Sequence, residues 1–257
     1  MDAIVTAGGV PKPGDTLYAY TQGKAKAMLD IAGKPMAQWV LDAINESALV
    51  ERVVVVGLGP DAGLEITKPV VFIPNQGSML KNIQVAASKV VEVNPEADLI
   101  LVVSSDIPAI TSEMVDWAIR AARESDDDIY YNVVPREVME SRFPGSNRSF
   151  IRFKDVEVCG GDMNIIRASI TEGRDEIWGK LVAARKNALK QASLLGFDTL
   201  FLLLLRRLTI DAAVKKAGKR LGLRGRAVIS PYAEIGMDVD KPGQLELLRA
   251  DLAKRAA

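Results

Sequence analysis

Short runs of apolar residues alternate with amphipathic segments through the first half of this 257-residue chain. The runs carry few polar positions, which is typical of strands buried on both faces of a parallel sheet. They are Ala3–Thr6, Val53–Val56, Val70–Ile73, Leu99–Val103 and Ile129–Val134. The segments between them repeat apolar residues at helical spacing, and they are Pro35–Ile44, Ser78–Val91 and Thr111–Arg123. The alternation predicts an α/β fold with three layers, α/β/α, around a mostly parallel sheet.

The second half is less regular. Phe150–Val158 alternates apolar and polar residues, which favours an antiparallel edge strand. Residues 175–222 have a helical pattern with breaks near Gly196 and Gly218, and they predict a helical insertion. Short strands and a last helix complete the chain at Ala227–Ile229, Ile235–Val239 and Gly243–Lys254. Since no repeat or linker interrupts this order, we expect one domain over 1–257 with an insertion at about 175–222.

The composition removes several kinds of chemistry. The chain has no histidine and one cysteine, which excludes Ser-His-Asp catalysis and zinc sites of the usual kind. A single cysteine also forbids an internal disulfide and fits a reducing cytoplasm. With 33 basic and 33 acidic residues, no net charge attracts nucleic acid. Catalysis must then use carboxylates, lysine, backbone amides and hard metals held by oxygen.

A glycine-rich loop follows the first predicted strand. Ala7, Gly8 and Gly9 come directly after the strand, and Lys24 and Lys26 lie further along the same connection. Glycines there let backbone amides approach a ligand, and amides with lysines suit phosphate. The alternative is a plain structural turn, because the spacing matches neither a P-loop nor a dinucleotide motif.

Two acidic motifs lie at predicted strand ends. Asp106, before Pro108, follows the fourth strand, at the edge where α/β sheets bind ligands. Asp238 and Asp240 alternate along the last predicted strand, which would turn both to one face. Metal binding is one interpretation. The others are an Asx turn at Asp106 and capping of the final helix by Asp240.

Taken together and in order, these motifs resemble the GT-A type nucleotidyltransferases. The motifs are Ala7-Gly8-Gly9, Lys26, Ile31-Ala32-Gly33-Lys34-Pro35-Met36, Ser105-Asp106-Ile107-Pro108 and Asp238-Val239-Asp240. That group includes molybdenum-cofactor guanylyltransferases and sugar-phosphate uridylyl- and cytidylyltransferases. The resemblance covers roughly residues 2–170 and 224–250.

The resemblance implies a role for each matching residue. It implies catalytic roles for Lys26 and Asp106, and Mg²⁺ held by Asp106 and Asp240. It implies nucleotide contacts at Ala7, Gly8, Gly9, Lys24, Gln76, Gly77 and Ser78, and an acceptor contact at Asn164. The family usually has an arginine shortly after the glycines, and this chain lacks it. The loop here is longer than in the family, and it contains Lys12 and Lys24 instead.

The reaction that the resemblance implies is transfer of a nucleoside monophosphate from an NTP to a phosphorylated small molecule, with release of pyrophosphate. A phosphate acceptor is already ionised near pH 7 and needs no general base. A hydroxyl acceptor would need one, for which Asp106 and Asp162 are the candidates. The alternatives are a GT-A glycosyltransferase that uses a nucleotide sugar and a non-catalytic nucleotide-binding relative.

Residues 185–226 carry eleven basic side chains against Asp198 and Asp211, around the apolar run Leu200–Leu205. A helix that is apolar all round is buried or covered by something other than water. One interpretation is an internal or homodimer-forming helix. The other is peripheral contact with an anionic membrane or a lipid-linked acceptor.

Overall fold

The computed structural model describes residues 1–170, 202 and 205–256. In this part of the chain a nine-stranded sheet has the order β5-β4-β1-β6-β10-β7-β9-β8, with β11 beside β7, and a small ribbon pairs β2 with β3. The strands are β1 Asp2–Thr6, β2 Asp30–Ile31, β3 Lys34–Pro35, β4 Arg52–Val56, β5 Val70–Ile73, β6 Leu99–Ser104, β7 Ile129–Pro135, β8 Ile151–Arg152, β9 Glu157–Gly160, β10 Met163–Arg167 and β11 Gly225–Ile229.

Seven α-helices accompany the sheet in the described residues. They are α1 Tyr18–Thr21, α2 Met36–Glu46, α3 Met79–Val93, α4 Ser112–Ala122, α5 Arg136–Arg142, α6 Ile210–Leu221 and α7 Pro242–Ala256. The core strands β5, β4, β1 and β6 run parallel, and β10 then pairs antiparallel with both β6 and β7.

Helices cover both faces of the core strands. Along β1, Ala3 and Val5 pack with α2 and α4, while Ile4 faces the other way and packs with α3. Because neither face meets water, both sets of positions are apolar, and this explains the uninterrupted apolar runs. The predicted three-layer α/β fold is confirmed.

Two local predictions are wrong. Ile235–Val239 is not a strand: a 3₁₀ turn occupies Ala233–Gly236, and single backbone hydrogen bonds to the Asp162 amide and the Asp106 carbonyl hold the segment. A Cβ at Gly236 would lie 2.9 Å from Val134, so the segment packs closely across the end of the sheet. Phe150–Val158 is not one strand but a hairpin of β8 and β9, closed by the Phe153 amide donating to Val156.

The insertion predicted at 175–222 lies mostly outside the described residues, and a single domain over 1–257 stays a prediction. Its end is helical, as α6 shows. Within the run Leu200–Leu205 the structure describes Leu202 and Leu205, and Leu205 lies in a turn. None of the helices within the described ranges is long and apolar enough to cross a membrane.

Part of the basic charge in 185–226 is neutralised by acids. Arg224 pairs with Asp126 and Asp128, and Arg226 pairs with Asp127. The three aspartates precede β7 and the two arginines flank the start of β11, which runs parallel to β7. These pairs therefore lie at the amino ends of the strands, away from the carboxyl ends where α/β sheets bind ligands.

Candidate active site

The site forms where β1 and β6 end side by side. These strands are parallel neighbours, with Thr6 beside Ser104 in the register. The Ser105 amide donates to the Thr6 carbonyl at 3.0 Å, so the chain beyond β6 stays against the end of β1. The glycine loop and the Asp106 segment therefore share one edge of the sheet, as predicted.

Lys26 connects the glycine loop to the acids. Its backbone amide donates to the Gly9 carbonyl at 2.8 Å. Its Nζ lies 2.5 Å from Asp106 Oδ2 and 2.8 Å from Asp240 Oδ1, and its side chain is 15% exposed. Burial alone would lower the pKa of Lys26, but the two carboxylates outweigh it and raise the pKa above its ordinary value. The ammonium group is therefore charged throughout the physiological range.

Asp240 is held in place by its backbone. The Val239 amide donates to the Asp106 carbonyl at 3.0 Å, and the Thr16 hydroxyl donates to the Asp240 carbonyl at 2.8 Å. Asp240 does not cap the last helix, which begins at Pro242. Asp240 Oδ1 accepts from Lys26, and Gln244 Oε1 accepts from the backbone amides of Asp240 and Lys241. The Asp240 carboxylate is left to Lys26, whose charge outweighs burial and lowers the pKa of Asp240.

An open pocket lies against Lys26 and Asp240, beside the loop 11–17 that follows the glycines. It is lined by Pro11, Gly14, Asp15, Thr16, Leu17, Lys26 and Asp240. The loop is braced by the Lys12 amide, which donates to Asp15 Oδ2 at 2.7 Å. The pocket thus lies between a backbone-rich loop and the Lys26 ammonium group.

Two further acids and an arginine surround the cluster. The Arg148 guanidinium donates to Asp238, donates to the Gly160 carbonyl at 3.1 Å and lies 3.7 Å from Asp162 Oδ2. Burial raises the pKa of Asp162 to about 8, and the nearby carboxylates of Asp106 and Asp238 add to the shift. Burial also raises the pKa of Asp238 to about 6, although the Arg148 charge opposes it.

The donors fit a single Mg²⁺. Asp106 Oδ1 and Asp162 Oδ2 are buried and accept no hydrogen bond from the residues that the structure describes. Mg²⁺ takes one or two carboxylates and completes its shell with water and substrate phosphate. Across the described ranges no group of three or more acids, cysteines or histidines is arranged to hold a metal alone. The carboxylates are therefore compatible with the Mg²⁺ site predicted at Asp106 and Asp240, which stays a prediction.

On the other side of the glycines, two asparagines tie a second loop to the first. Asn75 Nδ2 donates to the Gly8 carbonyl at 2.8 Å, and Asn75 Oδ1 accepts from the Gly77 amide at 3.0 Å. Asn82, 3% exposed on α3, donates to Asn75 and accepts from the Gln76 amide at 2.7 Å. The segment 75–78 is therefore fixed beside the glycine loop.

Glycine is required at the crossing of these segments. Gly57 has a φ of +106°, and a Cβ there would lie 2.3 Å from the Gly8 backbone. A Cβ on Gly8 would in turn lie 2.7 Å from Asn82. The backbone of the glycine loop thus passes between the end of β4 and α3 with no room for a side chain.

Several predicted contact residues have structural partners of their own. Ala7 is buried and packs with other alanines, and its amide donates to the Val56 carbonyl at 2.8 Å. The Ser78 hydroxyl caps α3 by accepting from the Lys81 amide. Both ends of the Asn164 amide are engaged, with the Asn132 amide and the Gly161 carbonyl. Lys24 and Gln76 are exposed. The contacts of these residues with substrates stay predictions.

Three residues at the site were not predicted as parts of it. Arg148 lies in an irregular segment without periodicity, and its partner Asp238 is 90 residues away. Thr16 and Asn82 belong to no motif that marks a site. A polar residue on the buried face of a helix was the one signal in the sequence that could have drawn attention to Asn82.

Comparison with solved structures identifies the fold. CMP:2-keto-3-deoxy-manno-octonic acid synthetase complexed with CTP has a TM-score of 0.60 at 18% identity, over 99% of this chain and 98% of that one. The 4-diphosphocytidyl-2C-methyl-D-erythritol synthase of Anaerococcus prevotii has a TM-score of 0.57 at 11% identity, over 98% and 95%. The fold is that of the nucleotidyltransferases.

Closer matches define the family. A hypothetical transferase from Thermus thermophilus is 33% identical, with a TM-score of 0.82 over 95% of this chain and 98% of that one. Residues 3–216 match the MobA-like NTP transferase domain. The chain belongs to the MobA-like NTP transferase family. No curated protein matches it.

Proposed function

We propose that this protein is a Mg²⁺-dependent nucleotidyltransferase. It transfers a nucleoside monophosphate from an NTP to a phosphorylated small-molecule acceptor and releases pyrophosphate. The supporting observation is the meeting of Lys26, Asp106 and Asp240 beside the glycine loop, at the carboxyl ends of parallel strands. This arrangement offers a charged ammonium group and a pair of candidate metal ligands next to an open pocket that could take a polyphosphate.

The reaction needs positioning more than proton transfer. An oxygen of the acceptor phosphate attacks the α-phosphorus, and the bond from that phosphorus to the bridging oxygen breaks. The electron pair leaves with pyrophosphate. Because the attacking oxygen is already ionised near pH 7, no residue has to remove a proton. Bound Mg²⁺ would neutralise phosphate charge, and Lys26 would add a second positive charge at the same place.

The other predicted contacts follow from this placement. The backbone amides of Gly8 and Gly9 would face the nucleotide phosphates, with Lys24 at the rim. Ala7 would adjoin them, because its own amide donates to the Val56 carbonyl. Gln76, Gly77 and Ser78 would lie along the base. Asn164 would face the acceptor, near the buried Asp162 and Arg148.

The wider setting also belongs to this proposal. We propose a cytoplasmic enzyme without a nucleic-acid partner, and either a homodimer or peripheral contact with lipid through 185–226. The pairing of Arg224 and Arg226 with Asp126–Asp128 lowers the positive charge available there for a lipid surface.

The test has two stages. Thermal unfolding with each NTP and Mg²⁺ should show a higher Tm with the substrate nucleotide, because a ligand of the native state stabilises it. Incubation of that NTP with a panel of sugar phosphates should then release pyrophosphate. Release of nucleoside diphosphate from a nucleotide sugar would indicate a glycosyltransferase. Stabilisation without turnover on any acceptor would indicate a non-catalytic relative.

A further inference from the structure

The Lys26 ammonium group occupies the space between the two proposed metal ligands. Its Nζ lies within ion-pair distance of both carboxylates. A divalent ion shared by these carboxylates would bind oxygen atoms of the same two groups, at about 2.1 Å from each. The ammonium and the metal are both cations and repel each other at contact distance. Lys26 and the metal therefore compete for the same pair of carboxylates.

If a metal ion bound to Asp106 and Asp240 without nucleotide, the Lys26 ammonium group would lose both of its carboxylate partners. The Lys26 side chain is 15% exposed, so water would replace its two carboxylate partners poorly. Asp106 is equally buried, whereas the Asp240 side chain is 60% exposed. Displacing Lys26 by free metal would thus place two cations close together in a partly buried site, which is unfavourable.

A triphosphate changes this balance. Lys26 and Asp240 both line the pocket beneath the loop that contains Gly14 and Thr16. The Lys26 backbone is fixed by the Gly9 carbonyl, but its four-carbon stem can turn the ammonium group toward that pocket. Phosphates bound there would accept the ammonium group and free Asp106 and Asp240 for a metal.

We infer that Lys26 makes the site selective for a metal–nucleotide complex: in the free protein it excludes divalent cations from Asp106 and Asp240, and it yields them only to a metal that arrives with a triphosphate. The statement that a metal–triphosphate complex displaces Lys26 rests on the proposed function. The statement that Lys26 excludes divalent cations concerns the protein without nucleotide and does not. Lys26 is then a specificity-determining residue as well as a phosphate contact.

Direct binding of Mn²⁺, followed by the electron paramagnetic resonance signal of the free ion, tests the exclusion without any turnover. The protein without nucleotide should bind Mn²⁺ weakly. Lys26→Met should bind it about tenfold more tightly or better, because two carboxylates then lack a cation. Lys89→Met, which removes a surface lysine paired with Glu92, should behave as the unaltered protein does. Adding Asp106→Asn to Lys26→Met should abolish the gain.

Equal Mn²⁺ affinity of the unaltered protein and Lys26→Met would overturn the inference. So would tight Mn²⁺ binding by the unaltered protein without nucleotide, a measurement that needs no folded variant. Adding each NTP to the unaltered protein should lower the free Mn²⁺ signal more than the same NTP does without protein. If no NTP has such an extra effect while Lys26→Met still gains Mn²⁺ affinity, the proposed function fails and the exclusion stands.

Discussion

Replacing Lys26 with alanine removes an ammonium group that lies 2.5 Å from Asp106 and 2.8 Å from Asp240. In the nucleotide complex this group would make a charge-assisted contact with phosphate. Such a hydrogen bond contributes about 1.5–3 kcal/mol. Since roughly 1.4 kcal/mol corresponds to a factor of ten in rate, kcat/KM for the NTP should fall roughly tenfold to a hundredfold. Coupled detection of pyrophosphate measures this quantity.

The matched control is Lys89→Ala, which removes a surface lysine from its ion pair with Glu92. Exposed pairs of this kind contribute up to about 1 kcal/mol to stability. This pair lies in the second half of α3, beyond Ser78 and Asn82, so kcat/KM should stay unchanged. Far-UV circular dichroism should show that both variants fold. Unchanged NTP affinity and turnover in Lys26→Ala would refute the role of Lys26.

Further predictions concern other charged groups. Asp106→Asn should abolish pyrophosphate release but leave the fold intact, since it removes a metal ligand without changing the shape of the side chain. Arg148→Met should lower the free energy of urea unfolding by about 3–5 kcal/mol, because it leaves Asp238 buried without its cation, and adding Asp238→Asn should restore most of the loss. Hydrogen bonding to Arg142 lowers the pKa of Asp251. The pair of Arg142 and Asp251 therefore stabilises the fold fully at neutral pH, and this stabilisation is lost in acid, below the ordinary aspartate pKa of about 4. The free energy of unfolding in urea, measured against pH, should therefore fall less steeply below about pH 4 in Arg142→Met than in the unaltered protein.

These predictions can fail independently. An Arg148→Met protein as stable as the original would show that the pair with Asp238 contributes nothing to folding. An Asp251 contribution that disappeared on going to alkaline rather than acid pH would contradict the sign of its pKa shift. Residual pyrophosphate release in Asp106→Asn would remove that carboxylate from the catalytic step.

The sheet could be predicted because its strands are buried on both faces. Ala3–Thr6 must be apolar at successive positions to contact helices on each side, whereas a strand with one face in water would alternate apolar and polar residues. The placement of Asp106 followed from the same logic, since residues after a parallel strand lie at the edge where ligands bind. Local pattern and a general rule of topology sufficed for both.

Contacts between distant segments could not be predicted in this way. Arg148 meets Asp238 across 90 residues, and neither side chain carries a local sign of its partner. The segment Ile235–Val239 is apolar enough for a strand, yet it crosses the end of the sheet and pairs with no strand of it. There the tertiary position overrides the propensity of the residues.

A metal site shared by Asp106 and Asp240 can be located in a crystal that contains bound nucleotide. Crystals grown with the stabilising NTP, as a non-hydrolysable analogue, and Mn²⁺ should give one anomalous peak between Asp106 and Asp240. The peak should lie about 2.1–2.2 Å from a carboxylate oxygen of each and from a phosphate oxygen, with the Lys26 ammonium group on the phosphates. A peak elsewhere, or carboxylates more than about 8 Å apart with the nucleotide bound, would contradict a shared metal site.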